Sequence, residues 1–229
     1  MFSASYIGQA AFALIAMAAL STVDIPKPAP AATAGGRPLG EIVRQPVFII
    51  AALCGVVSYA LMNLIMTSAP LAMKMCGHQP GDSNLAIQWH VVSMYLPSFF
   101  TGALISRFGA GRVVAAGLLL TALAAAIDLS GTSVATFWAG LIVLGVGWNF
   151  GFIGASALVL QAHRPEERNK VQSFNDFLVF GTMALGSFSS GKLLTSYGWD
   201  MVNSDARLLV ALALAALLLD RALRARNLA

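Results

Sequence analysis

Few side chains in this sequence could do chemistry, and most of those lie inside apolar runs, where a polar group is costly and turns toward a cavity or a neighbouring helix. His90, Ser93, Pro97 and Thr101 recur at i, i+3, i+7 and i+11, which places them on one helical face, with Gln88 and Trp89 just beyond. Tyr59, Asn63, Met66 and Pro70 share a second face, and Asn175, Thr182, Gly186 and Ser189 a third. Trp148 and Asn149 stand beside a glycine-rich seam. These groups stack and hydrogen-bond; they are not arranged to make or break covalent bonds. The candidate solute-cavity residues are therefore Tyr59, Asn63, Met66, Gln88, His90, Ser93, Trp148, Asn149, Asn175 and Thr182. No paired Asp, Ser/His couple or H-E-x-x-H lies at membrane depth, so an enzyme is not expected. No G-x-x-x-x-G-K-[ST] loop is present to cradle nucleotide phosphates, and neither a cofactor nor a metal is implied.

Each candidate also has a plainer role. Asn63, Asn149 and Thr182 can serve as hydrogen bonds between helices, and Trp89 as an interfacial anchor. His90, near one end of its run, is placed for a proton-linked role. Asp176 reads as the one acid set several residues inside a run, where it can pair with an Arg or sit at a helix N-terminus. Gly147 and Gly151 form a G-x-x-x-G pair flanked by Gly140, Gly145 and Gly154, and Gly181, Gly186, Ser190 and Gly191 make a similar small-residue surface. Both suit close helix approach.

The elements that must hold these residues follow from composition. Of the 229 residues, 58% are hydrophobic and only 10% charged, where a soluble domain carries about 25% charged residues. The mean hydropathy is +0.75. Apolar runs fall at 4–20, 46–69, 85–105, 113–129, 134–160, 171–197 and 207–223, seven candidate spans, the last with only 208–219 free of charge. The stretch 21–45 holds Pro26, Pro28, Pro30, Pro38, Gly35 and Gly36 and reads as a linker. The expected organisation is thus an all-α polytopic membrane bundle: a helix over 1–20, a linker over 21–45, and a six-helix bundle over 46–229. Cys54 and Cys76 are too far separated along helix to pair readily.

Orientation follows from Lys and Arg, which accumulate in cytoplasmic loops. One set of alternate loops holds Lys27, Arg37, Arg44, Arg107, Arg112, Arg164, Arg168, Lys170, Arg221, Arg224 and Arg226; the other holds only Lys74, Lys192 and Arg207. This puts the linker and the C-terminus in the cytoplasm and the N-terminus outside, in a bacterial inner membrane. The net charge of +4 is distributed as topology signals, not along a nucleic-acid-binding face.

The segment from Gly102 through Arg107 and Gly109 to Arg112 resembles the cytoplasmic loop motif of the major facilitator superfamily, with Ser106 where that motif has an acid. Pro165, Glu166, Glu167 and Arg168 resemble the Pro-Glu-x-Arg connection that follows the tenth helix of these transporters. The resemblance implies the sixth helix, the central linker and the C-terminal half of a twelve-helix secondary transporter, working by alternating access on a small organic solute and driven by an ion gradient. It further implies a conformational latch of Gly102, Arg107, Gly109, Arg112 and Asp176, and a complementary half, supplied as a missing N-terminal half or by a homodimer partner. The alternatives are a truncated, inactive product and a seven-helix receptor or sensor. The scarcity of charge in the runs, with Trp89, Tyr95 and Trp148 among them, favours a neutral or aromatic solute.

Overall fold

The computed structural model describes residues 3–24 and 36–226. The chain divides into two units, Met1–Gly35 and Gly36–Ala229. The first contains the apolar helix α1, Ser3–Ser21. Pro26, Lys27, Pro28, Pro30 and Gly35 of the linker lie outside the described residues, as do the side chains of Arg221, Arg224 and Arg226.

The second unit is a helical bundle. After the short α2 (Leu39–Ile42) come α3 (Pro46–Met75), α4 (Pro80–Tyr95), α5 (Ser98–Phe108), α6 (Ala110–Asp128), α7 (Val134–Trp148), α8 (Gly154–Val159) and α9 (Arg168–Arg226). Three features differ from a simple reading of the apolar runs. The helix expected to end at Ala69 continues through Pro70 to Met75, since a single lost backbone donor is tolerated in a membrane helix. The run expected as one span over 85–105 is a pair, α4 and α5, bent by 41°. Its break falls at Leu96 and Pro97, because proline lacks the N–H that the Ser93 carbonyl would accept and its ring crowds the preceding turn. Finally, α7 and α8 form one continuous rod joined by a π-helical segment, Asn149–Ile153.

The 59 residues of α9 would make a straight rod of about 90 Å, some three times the hydrocarbon thickness of a bilayer. Gly198, at φ 80° and ψ 173°, breaks it into arms over 168–197 and 199–226. Residues 199–206, expected as a connection, are helical because Trp199, Val202 and Ala206 face inward. Val210, Ala213 and Leu217 continue that stripe into the same core as Leu61, Leu118 and Leu141. The second arm therefore returns alongside the bundle instead of running past it. By length and composition α3, α6, the α7–α8 rod and α9 can cross a membrane, and the bent α4–α5 pair makes a fifth crossing. Dividing α9 at Gly198 turns this into six passes.

The passes alternate in direction. Moving along α3, Phe48, Gly55, Tyr59 and Asn63 meet Phe174, Val179, Phe180 and Ser187 in turn, so α3 and the first arm of α9 run parallel. Ala155, Gly151 and Trp148 meet Gly55, Ser58 and Tyr59, so the α7–α8 rod runs the other way. One end of the bundle thereby collects Arg107, Arg112, Arg164 and Arg168, and is called the basic end below. There a small cluster of Ile42, Phe48, Val159 and Val171 docks α2 onto the bundle. Arg37 secures it: its Nη2 lies 2.8 Å from Glu167 Oε2, and its backbone N–H donates to Oε1 at 2.8 Å. Glu167 is wholly buried and also accepts from the Arg164 N–H at 2.9 Å. The Arg37 guanidinium and these N–H donors hold the Glu167 carboxyl well below the usual carboxylate range, while its charge raises Arg37 in return.

Candidate solute site

Near the middle of the bundle four passes bring aromatic rings together. Tyr59 of α3 packs edge-on against Trp148 at the end of α7 (5.5 Å between centroids), Phe152 of the π-helical segment (5.0 Å) and Phe180 of α9 (5.4 Å). Trp148 and Phe152 stack at 5.4 Å, and Tyr95 at the end of α4 closes on Trp148 at 6.0 Å. The cluster is open on one side: Tyr95 is 59% exposed and Phe180 44%, whereas Trp148 is 6%. The buried Trp148 Nε1–H has no acceptor among the described residues. A wall of rings whose Tyr95 and Phe180 members stay exposed can stack on a flat conjugated molecule.

Trp148 ends α7 and Phe152 lies four residues on, within the π-helical segment. Residues four apart stack along any helix, but the extra residue of a π turn rotates the rod so that Asn149 also faces the α4–α5 break. Asn149 Nδ2 donates to the Met94 carbonyl and to Ser98 Oγ, both at 2.7 Å, and its Oδ1 accepts from Thr101 Oγ1 at 2.6 Å. The Met94 carbonyl lies in the turn that Pro97 disrupts, so an amide from the next helix supplies a donor there. Asn149 is fully buried.

The other expected cavity residues fall into two groups. His90, Ser93 and Thr101, with Pro97, do form one stripe, and it packs against α7. His90 is fully buried, its Nδ1–H donating to the Leu141 carbonyl at 2.6 Å, and Ser93 presses on Gly145, where a Cβ would collide with its hydroxyl. Asn63 is 8% exposed and donates to Ser187 Oγ of α9 at 2.6 Å, tying two walls of the cluster together. Met66 and Thr182 are half-buried, and Thr182 Oγ1 donates back to the Leu178 carbonyl at 2.8 Å. Asn175 is buried with its Oδ1 unpartnered, and Gln88 is exposed near the end opposite the arginines.

At the basic end, Gly109 closes the α5–α6 turn with φ 84°, a left-handed value that glycine adopts without strain. Arg107 lies over the Phe108 ring at 5.2 Å, Arg112 is exposed, and Gly102 has open space where a Cβ would be. Asp176 is exposed on the first arm of α9. A buried acid is Asp128, at the last turn of α6, which the sequence reading passed over because it stands at the edge of its apolar run. Also missed were Phe152, Phe180 and Ser187; the available signal was the recurrence of aromatic residues at mid-depth in separate runs.

Comparison with known proteins fits this geometry. Residues 51–227 match the sequence profile of the Major Facilitator Superfamily. Over 222 residues the chain is 50% identical to the riboflavin transporter RfnT of Brucella anthropi, covering 96% of this chain and 56% of that protein. It is also 30% identical over 182 residues to YddS of Bacillus subtilis, an uncharacterized MFS-type transporter, covering 76% of this chain and 41% of that protein. Over 149 residues it is 36% identical to YdeG, another uncharacterized MFS-type transporter of Bacillus subtilis, covering 64% of this chain and 34% of that protein. The chain thus spans about half the length, or less, of the curated relatives it matches. Six alternating passes, the glycine and arginine turn at Gly109, and the match across nearly the whole bundle place this chain in the major facilitator superfamily of membrane transporters.

Proposed function

We propose that this chain forms the C-terminal half of a secondary transporter for riboflavin or a similarly flat heteroaromatic solute. The observation that carries the reading is the half-open aromatic cluster of Tyr59, Tyr95, Trp148, Phe152 and Phe180, read beside the 50% identity to a riboflavin transporter. Tyr95 and Phe180 stack on the ring system, backed by Tyr59 and the buried Trp148. Asn63, Met66, Gln88 and Thr182 extend the wall. His90, Ser93, Asn149 and Asn175 position it.

The open side of the cluster is completed by a second six-helix half, to which α1 contributes the last helix and 21–45 the connection. A homodimer partner is the other possible source of that half. The two halves rock about the shared site, with Gly102, Arg107, Gly109, Arg112 and Asp176 latching one state against the complementary half. The basic end lies in the cytoplasm and the N-terminus outside, in a bacterial inner membrane. An ion gradient drives accumulation.

The test is riboflavin counterflow into proteoliposomes containing the chain alone or the chain together with the N-terminal half of a riboflavin transporter. Exchange that requires the added half, and that weakens in Tyr59→Ala and Tyr95→Ala, supports the reading. Exchange by the chain alone supports a homodimer. No exchange of riboflavin or lumichrome in either preparation sinks the assignment.

A further inference from the structure

Asp128 is the buried group that solute recognition leaves unused. Its residue is 2% exposed, and neither carboxyl oxygen has a hydrogen-bond partner among the described residues. An ionised carboxylate there would have neither cation nor donor among the described residues; a protonated one is neutral and becomes a donor itself. The place is shaped for it. Gly140 of α7 lies directly against the carboxyl, and a Cβ at that position would collide with Asp128 Oδ1.

The second arm of α9 covers the same spot. Trp199 Nε1–H donates to the Asp128 backbone carbonyl at 3.3 Å, and one turn further on Asn203 Nδ2 donates to the Trp199 carbonyl at 3.1 Å. That leaves Asn203 Oδ1, on a fully buried residue, as an acceptor without a donor. A proton on the Asp128 carboxyl makes it a donor in a buried polar region that holds unpartnered oxygens on both α6 and the second arm of α9. A sodium ion would call for several more oxygen ligands than these two residues supply.

We infer that Asp128 is a proton-binding site, loaded while α7 and the second arm of α9 close over the end of α6, and unloaded when that arm moves off and admits water. The reaction is transfer of one proton between the carboxyl and water, with no change in any other bond. The site stands apart from the aromatic cluster, which is built on α3, α4, the α7 rod and the first arm of α9. Other ionisable groups are turned elsewhere. The stretch 134–148 that forms α7 has no ionisable residue, Asp200, Asp205 and Arg207 on the second arm are exposed, with Arg207 donating to Ser204 Oγ, and Lys74 on α3 is exposed. His78 is held on the Thr132 carbonyl, and His90 of α4 on the Leu141 carbonyl. As the coupling step of a transporter the site rests on the proposed function; as a proton site it does not.

The test begins with infrared difference spectroscopy of the purified full chain in lipid nanodiscs, titrated from pH about 5 to about 10. A protonated-carboxyl band at neutral pH that disappears in Asp128→Asn, persists in His90→Gln and Asp176→Asn, and ignores sodium supports the site. Gly140→Ala, which crowds the carboxyl, shifts the band and keeps the inference testable if Asp128→Asn does not fold. A missing band, or one that survives Asp128→Asn, overturns it. In proteoliposomes with the complementary half, Asp128→Asn keeps riboflavin exchange within about twofold but lowers proton-driven accumulation roughly tenfold. Unchanged accumulation in that variant overturns the coupling role. Absence of exchange in the unmodified protein overturns the transport reading alone, and the infrared result still decides the proton site.

Discussion

Two glycine-rich surfaces that look alike in the sequence are used in opposite ways. Between α6 and α7, a Cβ on Gly117 would run into the backbone of Gly147 and Gly151, and one on Gly147 into the backbone of Thr121. On the first arm of α9, Gly181, Gly186 and Gly191 meet nothing within 4 Å, and Leu185 and Phe188 beside them are 70% and 89% exposed. The same residue type is consumed by packing in one region and left unspent in the other. Small residues alone therefore do not say that a seam is closed; the neighbouring backbone does.

Substitutions can sharpen that contrast. Gly117→Ala should be among the most damaging single changes, costing about 1–3 kcal/mol of bundle stability through backbone displacement, read as a fall in the melting temperature of the purified chain. Gly186→Ala should leave that temperature within about 0.5 kcal/mol equivalent. A comparable loss at both sites would mean that the α9 surface is also packed.

Asn149→Leu comes next, with a loss of about 2 kcal/mol because the Met94 carbonyl and the Thr101 and Ser98 hydroxyls lose their shared partner. Thermal unfolding would check this, and a neutral outcome would show that the bent α4–α5 pair holds without the clamp. On the open side, Tyr95→Ala and Phe180→Ala should barely alter unfolding, yet each should weaken the proposed riboflavin binding by about 0.5–1.5 kcal/mol, some two- to twelvefold, in a fluorescence-quenching titration. The smallest effect is expected at the basic end. The Glu167 carboxyl is held low by Arg37, so its contribution is fully present above the ordinary carboxylate value of about 4.3 and fades as acid titrates the folded protein below it. Glu167→Gln should flatten that acid-side slope, its loss of stability being fully expressed above pH about 6 and vanishing as acid protonates the carboxyl of the unmodified protein.

The six passes were legible because an apolar run long enough to cross a bilayer has few other uses. Arg107, Gly109 and Arg112 were legible for the same reason, as punctuation between runs. What escaped was rotation about each helix axis. His90, Ser93 and Thr101 recur at helical spacing, but a face can turn toward a cavity or toward a neighbour, and these meet α7 and the π-helical segment. Asn149 shows the limit most clearly: its partners Met94 and Ser98 are exposed to it by a proline break and a π-helical turn, two irregularities that no periodicity marks. Asp128 was hidden differently, since an acid at the edge of a run looks like a helix end at the water interface until Trp199 is seen covering it.

The clamp at Asn149 also sets an order of events during synthesis. The Met94 carbonyl leaves the ribosome 55 residues before the amide that will bind it, a delay of roughly 3 to 11 s at typical elongation rates. For that interval the broken turn at Pro97 sits in or beside the membrane without its donor, so the α4–α5 pair should linger near the insertion channel until the α7 rod arrives. A ribosome stalled before Asn149 would hold the nascent bundle at that unfinished stage, with its bend still free to straighten or slide.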